Sequence, residues 1–370
     1  MNKRHLLLII ALIIINPSCN DDETENPIAP SIDQKALAQE LYNNIIKPDL
    51  EEFVLACTDL EEQVSEFRLE PTLENLALVK NSWLSASVRW KYCHFYNIGD
   101  VEDSFLSITI HPWPAQETFI ENFISGEEGI DNDFVASVGS SSKGFAGMEY
   151  LLFSAGAQSI LELFTTDDNR ENRLNYLTGI AADLTSRAQR FQDIWTTQGY
   201  AQKFVDDANF DFNGSLAEIV NQMIATLEVM DIRKMTKAMG QDEIGVISTS
   251  KLESPYGNAS QAFLLADLDA LSRAFSGDPA IALGGPYLFD YLNSLNINED
   301  NPLSERITES IAATRSSLQS IPENFSTNTA LASQEALDAL DEVRRLTILL
   351  KPELSSRLNV IVTPNPSDGD

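Results

Sequence analysis

Apolar residues recur every three to four positions along most of the chain. Phe53, Cys57, Leu60, Val64 and Phe67 form one stripe, and Leu76, Val79, Trp83, Ala86, Trp90 and Cys93 form the next. Leu174, Leu177, Ala181, Leu184, Ala188, Phe191 and Trp195 make a third. Leu264, Leu268, Leu271 and Phe275 make a fourth, with Asp267 and Asp269 falling off it, and Ala336, Leu340, Val343, Thr347 and Leu350 close the series. This period places each set on one face of an amphipathic helix. Alternating patterns that would predict strands are short and few. The pattern therefore predicts an all-α fold of packed helical bundles.

The interruptions divide these helices. Pro48 sits inside the first helical pattern and predicts a kink or a split. Pro71-Thr72 predicts a turn and a helix N-cap. Residues 126–143 mix Gly, Ser and Asp and read as a long loop; 240–258 and 276–286 read as two more. A chain of 370 residues suggests two domain-sized units once its ends are set aside. The boundary falls near 206–214 or in the loop after Gly240. We divide the body into an N-terminal helical half, 33–210, and a C-terminal helical half, 211–362.

The two ends read differently from the body. Lys3 and Arg4 precede an unbroken apolar run from Leu6 to Ile15, the length of a signal-peptide core and about half of a membrane span. The run stops at Asn16-Pro17-Ser18-Cys19. A small residue before a cysteine at this place resembles the lipobox of bacterial lipoproteins, although Asn16 and Pro17 depart from its strict form. Residues 1–18 are then a cleaved signal and Cys19 is the lipidated residue, tying the chain to a membrane through acyl chains. Residues 19–32, which include Asp21, Asp22, Glu23 and Glu25, read as a flexible acidic tether. An acidic cluster after the lipidated cysteine also resembles a surface-export signal. The expected location is the outer membrane, by lipid anchor, with exposure on the cell surface as the further reading. Residues 363–370 read as a disordered tail.

Charge narrows the choice of partner. The chain has 25 Lys+Arg against 56 Asp+Glu, a formal charge of −31, and loss of Lys3 and Arg4 takes it to −33. Such a surface repels a phosphate backbone, which excludes nucleic-acid binding. Beyond Cys19 the only cysteines are Cys57 and Cys93, so there is no disulfide framework. Both fall on apolar stripes and read as buried thiols, with a disulfide between neighbouring helices as the alternative. His94 follows the Trp83–Trp90–Cys93 face and reads as a packing residue. His111, in His111-Pro112-Trp113-Pro114, is the better candidate for chemistry. With His5 in the signal, a three-histidine site is excluded by counting.

Several segments, taken in order, resemble the imelysin family, also called the M75 peptidase-like family. They are Asn44-Ile45-Ile46-Lys47-Pro48, then Leu76 through Trp83 and Trp90 to Phe95-Tyr96-Asn97-Ile98-Gly99, then Trp113-Pro114. Gly144-Phe145-Ala146-Gly147-Met148-Glu149-Tyr150-Leu151-Leu152 follows, and Leu252-Glu253-Ser254-Pro255-Tyr256 lies in the second half. The resemblance implies an imelysin-like pair of helical bundles. Its signature is Gly-x-His-x-x-Glu, in which residues three apart on a helix present an imidazole and a carboxylate to one ligand. Here the positions are Gly144, Ala146 and Glu149. Alanine has no lone pair, and one carboxylate holds a transition metal weakly. A metal such as iron or zinc would fall to Glu149, with His111 converging on it. Taken alone, Glu149 reads as a solvated helix residue or the partner of a nearby Arg or Lys. Ala146 and Gly147 together leave a small open patch, read as a close helix–helix contact or a pocket.

Three functions follow as expectations. The first is a non-catalytic cell-envelope lipoprotein that binds a ligand or an envelope protein, in line with the link between this family and iron or haem acquisition. The second is an M75-type metallopeptidase, which needs an open metal position and a base; no Gly-x-Ser-x-Gly or Cys–His pattern offers another nucleophile. The third is a structural or adhesive surface lipoprotein.

Overall fold

The structure is a computed structural model that describes residues 31–126, 129–279, 285–295 and 299–364. The signal, Cys19 and most of the tether lie outside the described residues, as do 365–370 of the tail. The longer helices are α1 (Gln34–Leu41), α2 (Lys47–Leu69), α3 (Leu73–His94), α4 (Glu117–Ile124), α5 (Gly144–Phe153) and α6 (Ala157–Thr165). They continue with α7 (Arg170–Trp195), α8 (Ser215–Glu228), α9 (Ser260–Ser276), α10 (Leu303–Ser320) and α11 (Gln334–Ile348). No strand occurs among the described residues, so the all-α reading holds. No helix among them is long and apolar enough to cross a membrane.

The apolar stripes do what their spacing predicts. Phe53, Cys57, Leu60, Val64 and Phe67 are all buried, and α2 packs along both α3 and α7. Burial of a side chain of this size is worth roughly 1.5–3 kcal/mol, so this one stripe contributes on the order of 10 kcal/mol before the entropy of ordering it. In the second half α10 packs on α11, and α9 lies between α10 and α3. A continuous cluster of buried apolar side chains runs through both halves. Cys57 and Cys93 are free buried thiols, and Cys93 Sγ donates to the Asp49 carbonyl at 3.2 Å. Thr72 caps α3, its Oγ1 accepting from Asn75 N at 3.2 Å.

Three local expectations are corrected. Pro48 does not split the first pattern, which stays helical through it. A π-helical turn over Tyr42–Ile46 joins α1 to α2 directly before Pro48 and interrupts the regular hydrogen-bond ladder where proline has no N–H to give. Residues 126–143 are not one long loop. Asp131 Oδ1 accepts from Phe134 N at 2.8 Å and starts a short helix, Asn132–Ser137. Val135 of that helix packs against Gly179, where a Cβ would lie 2.6 Å from it. Asp267, off the apolar stripe of α9, is nonetheless buried. It is kept there by a cation described below.

Candidate functional site

The site is assembled from three stretches of chain that meet where the halves touch. The first is the turn from Ser107 to Ala115, which carries His111 and the cis peptide Trp113–Pro114. The second is the start of α5. Gly144 has φ +68°, and a Cβ there would lie 2.4 Å from the Ile110 carbonyl oxygen. Only glycine lets α5 begin so close to the strand of chain that presents His111. The third is the segment 252–257, which precedes α9.

Ala146 and Glu149 stand three residues apart on α5 and line one cavity of about 150 Å³. Its walls are Trp113, Pro114, Ala115, Pro255 and Tyr256; Glu253 also reaches it, with Glu117, Thr249 and Ser250. Of the adjacent small residues, Ala146 faces this space. Gly147 makes a close backbone contact instead, since a Cβ there would lie 3.0 Å from the Ser142 carbonyl. Both readings of the small patch are therefore realised, one residue each.

Glu149 is not solvated. It is 1% exposed, and its Oε1 accepts from Ser254 Oγ at 2.8 Å, Tyr256 N at 2.9 Å and Gly257 N at 2.7 Å. None of these bonds uses Oε2. Gly257 permits the approach because a Cβ there would meet the Trp83 ring at 2.9 Å. Trp83 in turn donates from Nε1 to the Phe145 carbonyl at 3.0 Å, which ties the turn, α3 and the start of α5 together. Burial pushes the Glu149 carboxyl up to about 7, and the three hydrogen bonds only partly oppose it.

Beneath Glu149 lies a buried charge network. Lys91 of α3 pairs with Glu253, and its Nζ is 3.0 Å from His111 Nδ1. Lys234 lies in a π-helical stretch, Val229–Thr236, that continues α8. It pairs with Glu253 Oε2 at 2.7 Å and with Asp267 of α9. Burial alone would raise the Glu253 carboxyl, but Lys234 and Lys91 overcome it and hold Glu253 well below the usual range. Burial, then the Lys91 charge, pushes His111 well below its ordinary value. An ammonium can only donate, so Nδ1 accepts and the neutral ring carries its proton on Nε2. That Nε2 is buried without a partner, and the imidazole packs edge-on against the Phe145 and Phe263 rings, with centroids 6.0 and 5.6 Å away.

This chemistry does not fit a metal centre built on Glu149 and His111. The Nδ1 lone pair faces an ammonium, Nε2 is protonated, and Oε1 of Glu149 is already engaged. Among the described residues no group of three or more His, Cys, Asp or Glu comes together to hold a metal ion. His111 reaches Glu253, at 3.7 Å, and joins the network, whereas Glu149 is held by the 254–257 turn, so the two form no ligand pair. His94 is exposed and packs on Trp90, with ring centroids 5.4 Å apart, and takes no part.

Lys91 and Lys234 were not singled out by the sequence, Asp267 only as a residue off an apolar stripe, and Glu253 only as part of a matching segment. A signal existed for Lys91. It lies four residues after Ser87 and eight after Trp83, on the face that packs inward. For Lys234 and Asp267 the sequence shows charged residues near apolar stripes and nothing of their partners.

The chain is all-α among its described residues, and a glycine-started helix presents a buried acid to the turn at 254–257. The imelysin (peptidase M75) profile matches residues 46–350, and the chain belongs to that family. It is 20% identical over 329 residues to iron-regulated protein A of Synechococcus elongatus, covering 84% of this chain and 85% of that one. The fold is similar to an imelysin-like protein from Psychrobacter arcticum, with TM-score 0.74, 17% identity, and coverage of 91% of this chain and all of the other. A protein from Parabacteroides distasonis, provisionally named an iron-regulated protein A precursor, gives TM-score 0.73 at 16% identity, covering 88% and 95% of the two chains.

Proposed function

We propose that this imelysin-family chain is a non-catalytic binding protein of the cell envelope, tethered through lipidated Cys19, that takes its ligand in the Ala146–Glu149 cavity in an iron-related role. One observation carries the reading: Ala146 opens the space that a signature histidine would fill, while Glu149 is held as a fixed wall by the 254–257 turn. A binding site needs such rigid walls. Hydrolysis would need a metal-bound or base-activated water, and the nearest imidazole has both nitrogens committed to other states. The iron-related part rests on the similarity to iron-regulated protein A.

The test has three arms. Metabolic labelling with a fatty acid and membrane fractionation should show an acylated, membrane-bound protein that Cys19→Ala releases. Protein levels should rise when cells are starved of iron. Purified protein should leave peptide libraries intact with and without added zinc. Chelator-sensitive cleavage that disappears in Glu149→Ala would overturn the non-catalytic reading, and an unlabelled wild type would overturn the anchor.

A further inference from the structure

Charge pairing beneath the cavity leaves one acid over. Lys91 and Lys234 face Glu253 and Asp267, so two cations answer two anions. Glu149 is the additional carboxyl. Among the described residues it forms no ion pair, although it is 1% exposed. Its donors are a hydroxyl and two backbone N–H groups, all on Oε1. Alone, this buried acid keeps its proton, and its carboxylate form lacks the counter-charge that a bound cation would supply.

The walls say what kind of cation. Three carboxylates, Glu117, Glu149 and Glu253, are spread around the cavity instead of converging on a point, and Glu253 is already neutralised by two lysines. A hard metal ion needs six or more close oxygens and finds none of that here. The remaining lining is apolar or aromatic: Trp113, Pro114, Ala146, Pro255 and the Tyr256 ring. Such faces suit an alkyl chain, and the rings favour a cationic head nearby. Arg233 already stacks on Trp113 at 4.9 Å without lining the cavity, which shows that this indole accepts a cation. An apolar cavity of about 150 Å³ has room for a molecule the size of benzene. That admits a chain of about five heavy atoms. An anion would meet Glu117 at the rim and a body of strongly negative net charge.

We propose that the cavity binds a small primary alkylammonium, or a group of that chemistry on a larger ligand, with its head against Glu149 Oε2 and its alkyl body between Trp113, Pro255 and Tyr256. The assignment rests on the cavity being the ligand site. Three probes of equal length separate the classes: butylammonium, 1-butanol and butyrate, titrated into the full mature chain by calorimetry and by tryptophan fluorescence. Butylammonium should saturate and bind at least tenfold more tightly than 1-butanol, with butyrate not binding. Glu149→Gln keeps an oxygen for the three donors and should weaken butylammonium at least tenfold. Ala146→Leu fills the cavity without touching the charge network and should abolish binding. Equal affinity for 1-butanol or butyrate, lost in Ala146→Leu, would end the ammonium assignment and leave the ligand site standing. No binding of any probe, or butylammonium binding that survives Ala146→Leu, would overturn the assignment.

Discussion

At the scale of single residues, Glu149 makes its burial measurable through pH. Its carboxyl is raised from an ordinary 4.5 to about 7, with burial the main cause. The folded protein therefore holds this proton over a range where the unfolded chain has released it. Stability from this group is present at low pH and is lost as pH rises through about 7. The difference is on the order of 3 kcal/mol. Asp49, raised by burial to about 6 against the pull of Arg273, slopes the same way, so the useful measurement is a comparison. Urea unfolding of wild type and Glu149→Gln from pH 4 to pH 8 should show the variant gaining about 3 kcal/mol on the wild type. Parallel curves would mean that Glu149 is ionised throughout. Gly144 offers a second test. Alanine there meets both a left-handed backbone at φ +68° and the Ile110 carbonyl. Gly144→Ala should lose about 2 kcal/mol or more in the same assay, and a loss below 0.5 kcal/mol would show that the start of α5 relaxes freely.

At the scale of elements, the charge network joins α3, the His111 turn, the stretch after α8, and α9. Lys234→Met would leave Asp267 buried without its cation and Glu253 with Lys91 alone. Breaking a buried pair on one side costs about 3–5 kcal/mol, whereas replacing both partners by apolar groups is often near neutral. Lys234→Met combined with Asp267→Leu should therefore recover most of the loss; equal loss in both variants would mean that Lys234 acts through Glu253 instead. The face of α5 gives another test. Ala146→His places an imidazole three residues from Glu149, and zinc calorimetry should detect a weak gain in affinity. No gain would mean that the Oε1 clamp holds the carboxylate out of reach. These elements also mark what could be read from the sequence. The stripes of α2, α3 and α7 were legible because apolar side chains at helical spacing have one destination. The short helix at Asn132–Ser137 was not, because its cap is an aspartate in a Gly- and Ser-rich stretch. Asp267 was not, because a charged residue's burial depends on a partner 33 positions away. The signature positions Gly144 and Glu149 were legible by resemblance, but the clamp on Glu149 comes from backbone N–H groups, which no side-chain pattern announces.

At the scale of the whole molecule, the question is whether the two halves fold as one. The continuous apolar cluster passes from α2 and α3 through α9 to α10 and α11. Across the same boundary run the Lys91–Glu253 pair, the three bonds from residues 254–257 to Glu149, and a second ion pair between Asp49 of α2 and Arg273 of α9 at 2.6 Å. Separating the halves would expose Phe263, Leu264 and Trp83 and strand buried charges on both sides, so partial unfolding has a high cost. Calorimetry should give a single endotherm whose van't Hoff and calorimetric enthalpies agree. Lys234→Met should move that endotherm down as a whole, without splitting it. A fragment of residues 211–362 should show helical circular dichroism with no cooperative melt, because α9 would lack its face on α3. Two resolved transitions, or a cooperatively melting fragment, would show instead that each half carries a sufficient core and that the cavity forms where two stable bodies dock.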